Sequence, residues 1–255
     1  MDRTIVHRIE IVDGLQALGL CKGMAVEVHS ALSSLGWDEG GAETVIEALM
    51  EVIGPEGALL MSAYPVTPAL PLTEEEIARG MKWKVRILED PHERTGMGWI
   101  VDTFRKRPDV FLGKDLHRVC AWGRDAARHA ESQYRYLVEI DGWTLLIGVD
   151  VDRVSSLHLA EENPGIPEAI YRMLEPPPDL LRDYSPDRWS IGYGSTPDYA
   201  WAKVWEKADR QNLIRKGKIG QADCALFKTR ALLEIYQDWL REDPFGLFGV
   251  PHQET

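Results

Sequence analysis

The sequence lacks several features that would place it in a common class of protein. Its three cysteines, Cys21, Cys120 and Cys224, are scattered and form no CxxC pair, so neither a disulfide scaffold nor a zinc ribbon is expected. No stretch reaches the roughly 18 consecutive apolar residues that cross a bilayer. The opening MDRTIVHRIEIVDG also lacks the basic-then-apolar layout of a signal peptide. We therefore expect a soluble, cytoplasmic protein.

Common nucleotide and metal motifs are absent as well. The sequence has no GxGxxG fingerprint, no phosphate loop ending in GK[ST] and no HExxH. The net charge of −12 disfavours nucleic acid as a partner, because such binding depends on cationic contacts to phosphates. The same acidity either concentrates cationic small molecules at a cleft or serves only solubility.

What is present is an ordinary globular balance with alternating helices and strands. With 44% hydrophobic residues in 255, the chain can bury a sizeable core, and no internal repeat divides it. Helical spacing marks RIEIVDGLQALGL, ETVIEALMEVIG and WIVDTFRKRP, whereas MAVEVHSAL, GALLMSAYP, VCAWG and WTLLIGVDV indicate strands. Short connections between such elements are typical of a parallel or mixed sheet covered by helices.

Two later segments complete the expected architecture. The proline-rich EPPPDLLRDYSPDRW is expected to be an extended lid or wrapping loop. CALFKTRALLEIYQDWL is expected to form one strong amphipathic helix.

The segment VSSLHLAEE follows directly after the strand WTLLIGVDV. If a helix begins at its two serines, His158 and Glu161 share a face of that helix. One interpretation is a surface helix that a serine caps, with a solvated histidine. The other is a reactive histidine held by a carboxylate, because open α/β sheets bind ligands at the carboxyl ends of strands. Spacing alone leaves both interpretations open.

Other candidate groups carry weaker signals. The turn SSLGWDEGG lies between a strand and a helix and could present backbone N–H groups to a phosphate. Cys120 stands between apolar residues and is expected to be an inert core thiol. His29, His117 and His158 could in principle meet around a metal, although no ligand spacing supports that arrangement.

Four blocks together resemble the aminoglycoside 3-N-acetyltransferase family, antibiotic N-acetyltransferases unrelated in fold to the GCN5-type enzymes. VHSALSSLGWDEGGAETVIEALMEVIGPEGALLMSAYP is similar to the family's opening VHSSL strand end, GG-containing helix and G-T-L-x-M-P strand. DPHERTGMGWIVDTFRKRPDV resembles its DPxxTPSxMGxxxExFRxxP block, and LLIGVDVDRVSSLHLAEE its LLLG…(S/N)xTxLHxAE block. GKIGQADCALFKTRALLEIYQDWL resembles the closing GxVGxAxxxLFxARDLVDFAxxWL block. The blocks stand in the family's order and cover nearly the whole chain.

The resemblance implies an α/β fold, namely a three-layer α/β/α sandwich around a mixed, mostly parallel sheet. It implies one acetyltransferase domain over residues 1–255, with acetyl-CoA as the acyl donor and no metal. The acceptor would be an amine of an aminoglycoside or a similar cationic small molecule, which fits an acidic cleft. No nucleic acid or membrane partner is implied, and a homodimer is left open.

The resemblance also assigns roles to residues. By motif match His158 is the catalytic base, Glu161 the carboxylate that accompanies it, and Asp152 a hydrogen-bonding partner near the site. The residues that match the CoA-binding turns are His29, Ser30, Ala31, Leu32, Ser33, Met97 and Gly98.

Four further residues are expected to contact the substrates. Arg105 is a candidate for the CoA phosphates, as is Arg107, and Tyr64 and Glu162 are candidates for the acceptor side.

The chemistry is compatible with these roles. An ammonium cannot attack a thioester, so a base must remove a proton, and a histidine with a pKa near 6.5 is suited to that step. The developing oxyanion needs N–H or hydroxyl donors, which the turn after His29 or the turn at Ser155 and Ser156 could supply. No cysteine or serine has an obvious activating base in the sequence, so direct transfer is favoured over an acyl-enzyme.

The chain departs from the family on the acceptor side. Where the family has RSxHPxxSxxAxG, this chain reads LGKDLHRVCAWG, so Lys114-Asp115 replace His-Pro and Arg118 replaces the serine. The TPS of the second block is reduced to ERTG. Two alternatives therefore accompany the acetyltransferase hypothesis: a CoA-binding relative without transfer activity, and a metal-dependent hydrolase that uses the three histidines named above.

Overall fold

The computed structural model describes residues 5–38, 40–90, 92–194 and 198–251. The strands in these ranges are β1 Ile5–Val6, β2 Ala25–Ser30, β3 Trp37–Asp38, β4 Ala58–Ser62, β5 Met81–Arg86, β6 Phe111–Leu112, β7 Val119–Gly123, β8 Trp143–Ile147, β9 Trp189–Tyr193, β10 Ile214–Ile219 and β11 Ala222–Lys228. The helices are α1 Arg8–Leu18, α2 Gly41–Ile53, α3 Glu74–Ala78, α4 Trp99–Phe104, α5 Ala126–Ser132, α6 Arg135–Glu139, α7 His158–Ala160, α8 Glu168–Leu174, α9 Pro178–Asp183, α10 Asp198–Arg210, α11 Thr229–Glu242 and α12 Pro244–Phe248. Tight helical turns occupy Leu32–Ser34, Val151–Arg153 and Ser155–Leu157, and a wider turn at Glu161–Gly165 follows α7.

A seven-stranded sheet in the order β10-β11-β8-β2-β4-β7-β6 forms the centre of the described chain. Strand β2 pairs in parallel with β4 and with β8, whereas the outer pairs are antiparallel. Strands β2, β4, β6, β8 and β10 consequently point one way, and β7 and β11 point the other. The predicted mixed sheet is confirmed.

Helices cover both faces of this sheet, as the three-layer prediction requires. The side chains of β8 alternate, so that Leu145 and Ile147 pack with α1, α2 and α4 on one face. Leu146 points to the other face and packs with α10, α11 and α12. A smaller cluster beneath α5 and α6 completes that second face around Leu60 and Leu137.

The proline-rich segment is not the extended loop that the sequence predicts. It contains α9, which begins with a proline in its first turn and buries Leu180 completely, and it leads into β9. Strand β9 pairs antiparallel with β5 to form a separate accessory sheet. A proline at the first helical position is compatible with a helix because its missing N–H has no intrahelical partner there.

Ion pairs and hydrogen bonds fasten this accessory sheet to α3 and α9. The Glu76 carboxylate accepts a hydrogen bond from Lys84 Nζ at 2.5 Å and one from the Tyr184 hydroxyl. Arg79 contacts Asp179 and Asp183, each at 2.9 Å. The contacts of Tyr184 and of Arg79 join residues that are about a hundred positions apart in the sequence, so the segment is a fixed layer in this structure.

The C-terminal prediction of a single helix is also wrong at its start. Cys224 to Lys228 belong to β11, which pairs with both β10 and β8, and α11 begins only at Thr229. Cys224 and Phe227 are buried on opposite faces of the sheet, which is why an apolar run here fits a central strand. No helix of the described residues is long and apolar enough to cross a membrane.

Candidate active site

The candidate site lies where three parallel strands end at one edge of the sheet. Strands β2, β4 and β8 end at Ser30, Ser62 and Ile147. The chain that leaves β8 passes through two tight turns into α7, which brings His158 to this edge. Ligands bind at this position in open α/β sheets.

His158 and Glu161 face each other, as their spacing predicts. Nδ1 of His158 lies 2.6 Å from Oε2 of Glu161, a separation that places the imidazole proton on Nδ1. The imidazole side chain is 53% exposed, whereas the carboxylate is 14% exposed, so a half-exposed ring is held by a largely enclosed partner. The ring edge rests against Trp201, with the two ring centres 4.7 Å apart.

A tyrosine from α11 holds the other oxygen of this carboxylate. The Tyr236 hydroxyl donates to Glu161 Oε1 at 3.1 Å. Burial raises the pKa of Tyr236, and the adjacent Glu161 charge adds to the increase. The phenol therefore stays protonated and remains a donor. The sequence indicated only that Tyr236 belongs to an amphipathic helix.

The two serines before α7 do not cap it, although the surface-helix interpretation of this segment would require a cap. Neither the helix nor the preceding turn has a side-chain cap. Ser155 Oγ accepts a hydrogen bond from Ser62 Oγ at 2.8 Å, and Ser156 Oγ donates to Glu27 Oε2 at 2.6 Å. The serines thus attach the turn to the ends of the neighbouring strands.

Glu27 is a buried carboxylate beneath this turn, in the middle of β2. Its side chain has no solvent exposure. Oε1 contacts the Ser156 backbone N–H at 3.1 Å and His29 Nε2 at 2.7 Å. Oε2 accepts hydrogen bonds from Ser156 Oγ and, at 3.1 Å, from Thr144 Oγ1. The sequence analysis missed this residue, although a charged side chain inside the apolar strand MAVEVHS is a visible signal.

A cluster of hydroxyl groups and aromatic rings lines the same edge. Ser62 Oγ and the Tyr134 hydroxyl share a hydrogen bond of 2.6 Å. Burial raises the pKa of Tyr64, whose hydroxyl interacts with Ser155 and Ser62. Tyr64, predicted to contact the acceptor, therefore lies beside the turn that carries His158.

His117 completes this aromatic side of the site. Its ring contacts the Tyr64 ring edge-on, with centres 5.3 Å apart. Burial lowers the pKa of His117, and the neighbouring His158 lowers it further. A neutral ring beside Tyr64 is therefore favoured near neutral pH.

Two other predicted residues lie at the rim. Glu162 forms an ion pair with Arg135 at 2.5 Å, and both side chains are more than half exposed. Asp152 lies on the turn after β8 and pairs with the adjacent Arg153 at 3.2 Å. Their predicted roles on the acceptor side and beside the base remain predictions.

The predicted CoA-binding turn after β2 has an orphaned hydroxyl. Ser30 Oγ is buried and has no hydrogen-bond partner within the described ranges, so it could bind a substrate group. The backbone next to it is fixed, because Ala31 N–H donates to the Ile147 carbonyl at 3.0 Å and Ser34 Oγ donates to the Ala31 carbonyl at 2.6 Å. Leu32 is half-buried and Ser33 is exposed.

The second predicted CoA-binding turn precedes α4. Gly98 has a φ of +96°, which favours glycine, and no atom lies within 4 Å of the position that a Cβ would occupy. A substrate could therefore approach the backbone closely at this residue. Met97 packs against the core that α1, α2 and α4 form with the sheet, and this contact holds the turn in place.

Arg105 lies inside the protein rather than at a phosphate site. Its side chain is 2% exposed, its Nε donates to Asp102 Oδ1 at 2.9 Å, and one terminal nitrogen donates to the Glu93 carbonyl at 2.7 Å. Asp102 also accepts hydrogen bonds from Thr95. The guanidinium thus braces the turn before Met97, and its burial does not support the predicted phosphate contact.

The donor set for a metal does not assemble in the described part of the chain. No three His, Cys, Asp or Glu side chains are grouped there to hold an ion, and His29 is engaged by Glu27.

Burial raises the pKa of Cys120 to about 12, which makes its thiol a poor nucleophile.

Comparison with known proteins identifies the same family over most of the chain. A family model described as aminoglycoside 3-N-acetyltransferase matches residues 28–241. The chain is 28% identical to the SPbeta prophage-derived aminoglycoside N(3')-acetyltransferase-like protein YokD of Bacillus subtilis (strain 168), over 90% of each sequence. It is 26% identical to aminoglycoside N(3)-acetyltransferase III of Pseudomonas aeruginosa, over 96% of this chain and 97% of that protein. Among solved structures, AAC-IIIb in a binary complex with CoASH has the same fold, with a TM-score of 0.69, 22% identity, and coverage of 99% of this chain and 100% of the other.

Proposed function

This chain belongs to the aminoglycoside 3-N-acetyltransferase family of acyltransferases, and from that premise we propose that it transfers an acetyl group from acetyl-CoA to an amine of an aminoglycoside or a similar cationic small molecule. The observation that carries this proposal is the His158–Glu161 pair at the carboxyl edge of the sheet. Support for the donor comes from the CoASH complex of a protein with the same fold.

His158 acts as the general base in the proposed mechanism. Glu161 holds the proton on Nδ1, so the basic lone pair of the ring is on Nε2, which accepts a proton from the acceptor amine. Tyr236 fixes the second oxygen of Glu161 and so limits rotation of the carboxylate. The Glu161 charge stabilises the imidazolium that forms during the reaction.

The proposed transfer is direct, and no covalent enzyme intermediate forms. The amine nitrogen attacks the thioester carbonyl carbon while Nε2 of His158 takes one of its protons. The oxyanion then collapses, the carbon–sulfur bond breaks, and the CoA thiolate leaves. The thiolate takes the proton from His158, so the products are an amide and free CoA thiol.

The surrounding groups are suited to the two substrates. The Ser30 hydroxyl and the open backbone at Gly98 border the proposed CoA site. Tyr64, His117 and the rim carboxylate of Glu162 border the proposed acceptor site. The overall charge of −12 favours the approach of a cationic acceptor.

A thiol-release assay tests this function. Purified protein is incubated with acetyl-CoA and a panel of amines that includes aminoglycosides, and free CoA is measured with and without each acceptor. Acceptor-dependent release supports acyl transfer. Binding of acetyl-CoA with no release for any amine would instead support a CoA-binding relative without transfer activity.

A chelation control separates the remaining alternative. Direct transfer by His158 predicts equal rates before and after treatment with EDTA. Loss of activity on chelation and recovery on addition of Zn²⁺ would favour a metal-dependent hydrolase.

A further inference from the structure

Glu27 is a buried, fully hydrogen-bonded carboxylate at the site that the acyl-transfer mechanism does not use. It lies on β2, directly between β8 and β4, opposite Thr144 on one side and Leu60 on the other. A carboxylate placed in a sheet without exposure is costly unless its oxygens are fully hydrogen-bonded. All four contacts of Glu27 are to groups that can donate, so both oxygens are satisfied.

These contacts reach the two segments that form the site. The Ser156 backbone N–H and hydroxyl both bind Glu27, and Ser156 stands two residues before His158. His29 Nε2 lies 2.7 Å from Glu27 Oε1, and His29 stands at the end of β2, next to Ser30. A single side chain therefore joins the turn that carries the proposed base to the turn that borders the proposed CoA site.

The contact to His29 also fixes where the imidazole proton lies. A nitrogen 2.7 Å from a carboxylate oxygen shares a proton with it, so Nε2 of His29 is protonated. The Ser155 backbone N–H points at this same nitrogen from 3.4 Å, but a protonated nitrogen cannot accept it.

We propose that Glu27 is a positioning residue of the acyl-transfer site: its carboxylate sets the turn before His158 and the tautomer of His29, although it touches neither substrate. The expected effect of Glu27 on turnover rests on the proposed function. The effect of Glu27 on the tautomer of His29 does not depend on that function.

The bonding pattern suggests two informative substitutions. In Glu27→Gln the amide oxygen can stay at the Oε1 position, where Ser156 N–H and His29 both donate. The amide nitrogen then faces the hydroxyls of Ser156 and Thr144, which can rotate to accept. Glu27→Leu fills the space but removes every acceptor and leaves the Ser156 N–H buried without a partner.

The experiment compares kcat, KM and unfolding midpoint for both variants in the thiol-release assay. We expect kcat of Glu27→Leu to fall by about 10- to 100-fold, because a displaced base loses alignment with the substrate. Glu27→Gln should retain most of the wild-type kcat. In both variants the KM for acetyl-CoA should change less than kcat. Equal losses of kcat in the two variants, or wild-type turnover in Glu27→Leu, would overturn the proposal.

A matched control separates positioning from general loss of stability. Thr144→Val removes a single donor to Oε2 and leaves the contacts to Ser156 and His29 in place. It should lower the unfolding midpoint while kcat stays within about twofold of the wild type, since the turn before His158 keeps its anchor. A loss of kcat as large as that of Glu27→Leu would contradict the positioning role.

A spectroscopic measurement tests the proposal even if no acceptor is found. In protein labelled with ¹⁵N-histidine, NMR reports which ring nitrogen of His29 carries the proton, and a His29→Asn variant assigns the signal. We expect protonated Nε2 in the wild type and in Glu27→Gln, and loss of this preference in Glu27→Leu. An unprotonated Nε2 in the wild type would overturn the proposal, whereas a wild type without thiol release would overturn only the proposed function.

Discussion

Nδ1 of His158 and Oε2 of Glu161 are 2.6 Å apart, one turn of chain from each other, at the edge where the parallel strands end. This contact turns a half-exposed histidine into an oriented one. The Glu161 carboxylate is in turn held by Tyr236, which lies on a different helix. Each link of this arrangement can be removed separately.

Removing the charge of Glu161 should slow the chemical step. In Glu161→Gln the amide can still contact Nδ1, but it no longer stabilises the imidazolium, so we expect kcat to fall by at least about tenfold. Steady-state thiol release measures this, with Glu168→Gln as a control because Glu168 pairs with Arg172 on the surface. A kcat equal to that of the control would argue against a role for the carboxylate.

Removing the Tyr236 hydroxyl should have a smaller effect of the same sign. Tyr236→Phe frees one oxygen of Glu161, and we expect kcat to fall by about three- to tenfold with a loss of about 1 kcal/mol of stability. Tyr184→Phe is the matched control, since it also removes a phenol–carboxylate contact, in this case to Glu76 in the accessory layer. If both variants lowered kcat equally, stability rather than orientation would explain the result.

Glu76 should make stability depend on pH in the acidic range. The hydrogen bonds from Lys84 and Tyr184 lower the pKa of Glu76 to about 2 from its usual 4.5. A lowered carboxyl pKa stabilises the fold fully above the unfolded value and loses that contribution as the pH falls through the folded value. The stability gap between wild type and Glu76→Gln should therefore be largest above about pH 4.5 and shrink towards pH 2.

Urea unfolding at several pH values measures this gap. A gap that widened on acidification, or that stayed constant from pH 7 to pH 3, would contradict the stated role of Glu76.

The cysteines should differ in their reactivity. Burial raises the pKa of Cys120 to about 12 and that of Cys224 to about 11, whereas Cys21 is exposed. A thiol reagent at pH 8 should modify one cysteine in the native protein and three after unfolding, because only exposed thiolates react at an appreciable rate. Mass spectrometry of the labelled peptides identifies the sites, and native labelling of Cys120 would show that its strand opens.

Much of the fold could be predicted because hydrophobic periodicity determines it locally. Helices α1 and α2 and strands β2, β4 and β8 follow from apolar spacing and from glycines at their ends. The strand in CALFK was missed because a short apolar run next to a helix has the same composition whether it is strand or helix. The sequence does not reveal helix α9, because a proline-rich stretch is typical of extended chain but also fits the first turn of a helix.

The site was only partly predictable for a related reason. His158 and Glu161 are neighbours in sequence, so their spacing reveals their contact. Glu27, Tyr236 and Tyr134 reach the same place from distant segments, and only the strand pairing and helix packing bring them together. The burial of Arg105 could not be predicted either, because a sequence pattern does not show burial of a single cation.

The most direct test of the account is the turnover of His158→Ala with acetyl-CoA and an acceptor that the wild type acetylates. Since the variant keeps the turns after β2 and before α4, we predict binding of acetyl-CoA close to that of the wild type and acceptor-dependent thiol release reduced by at least about 100-fold. Thiol release at the wild-type rate by a folded His158→Ala protein would contradict the central claim that His158 is the general base.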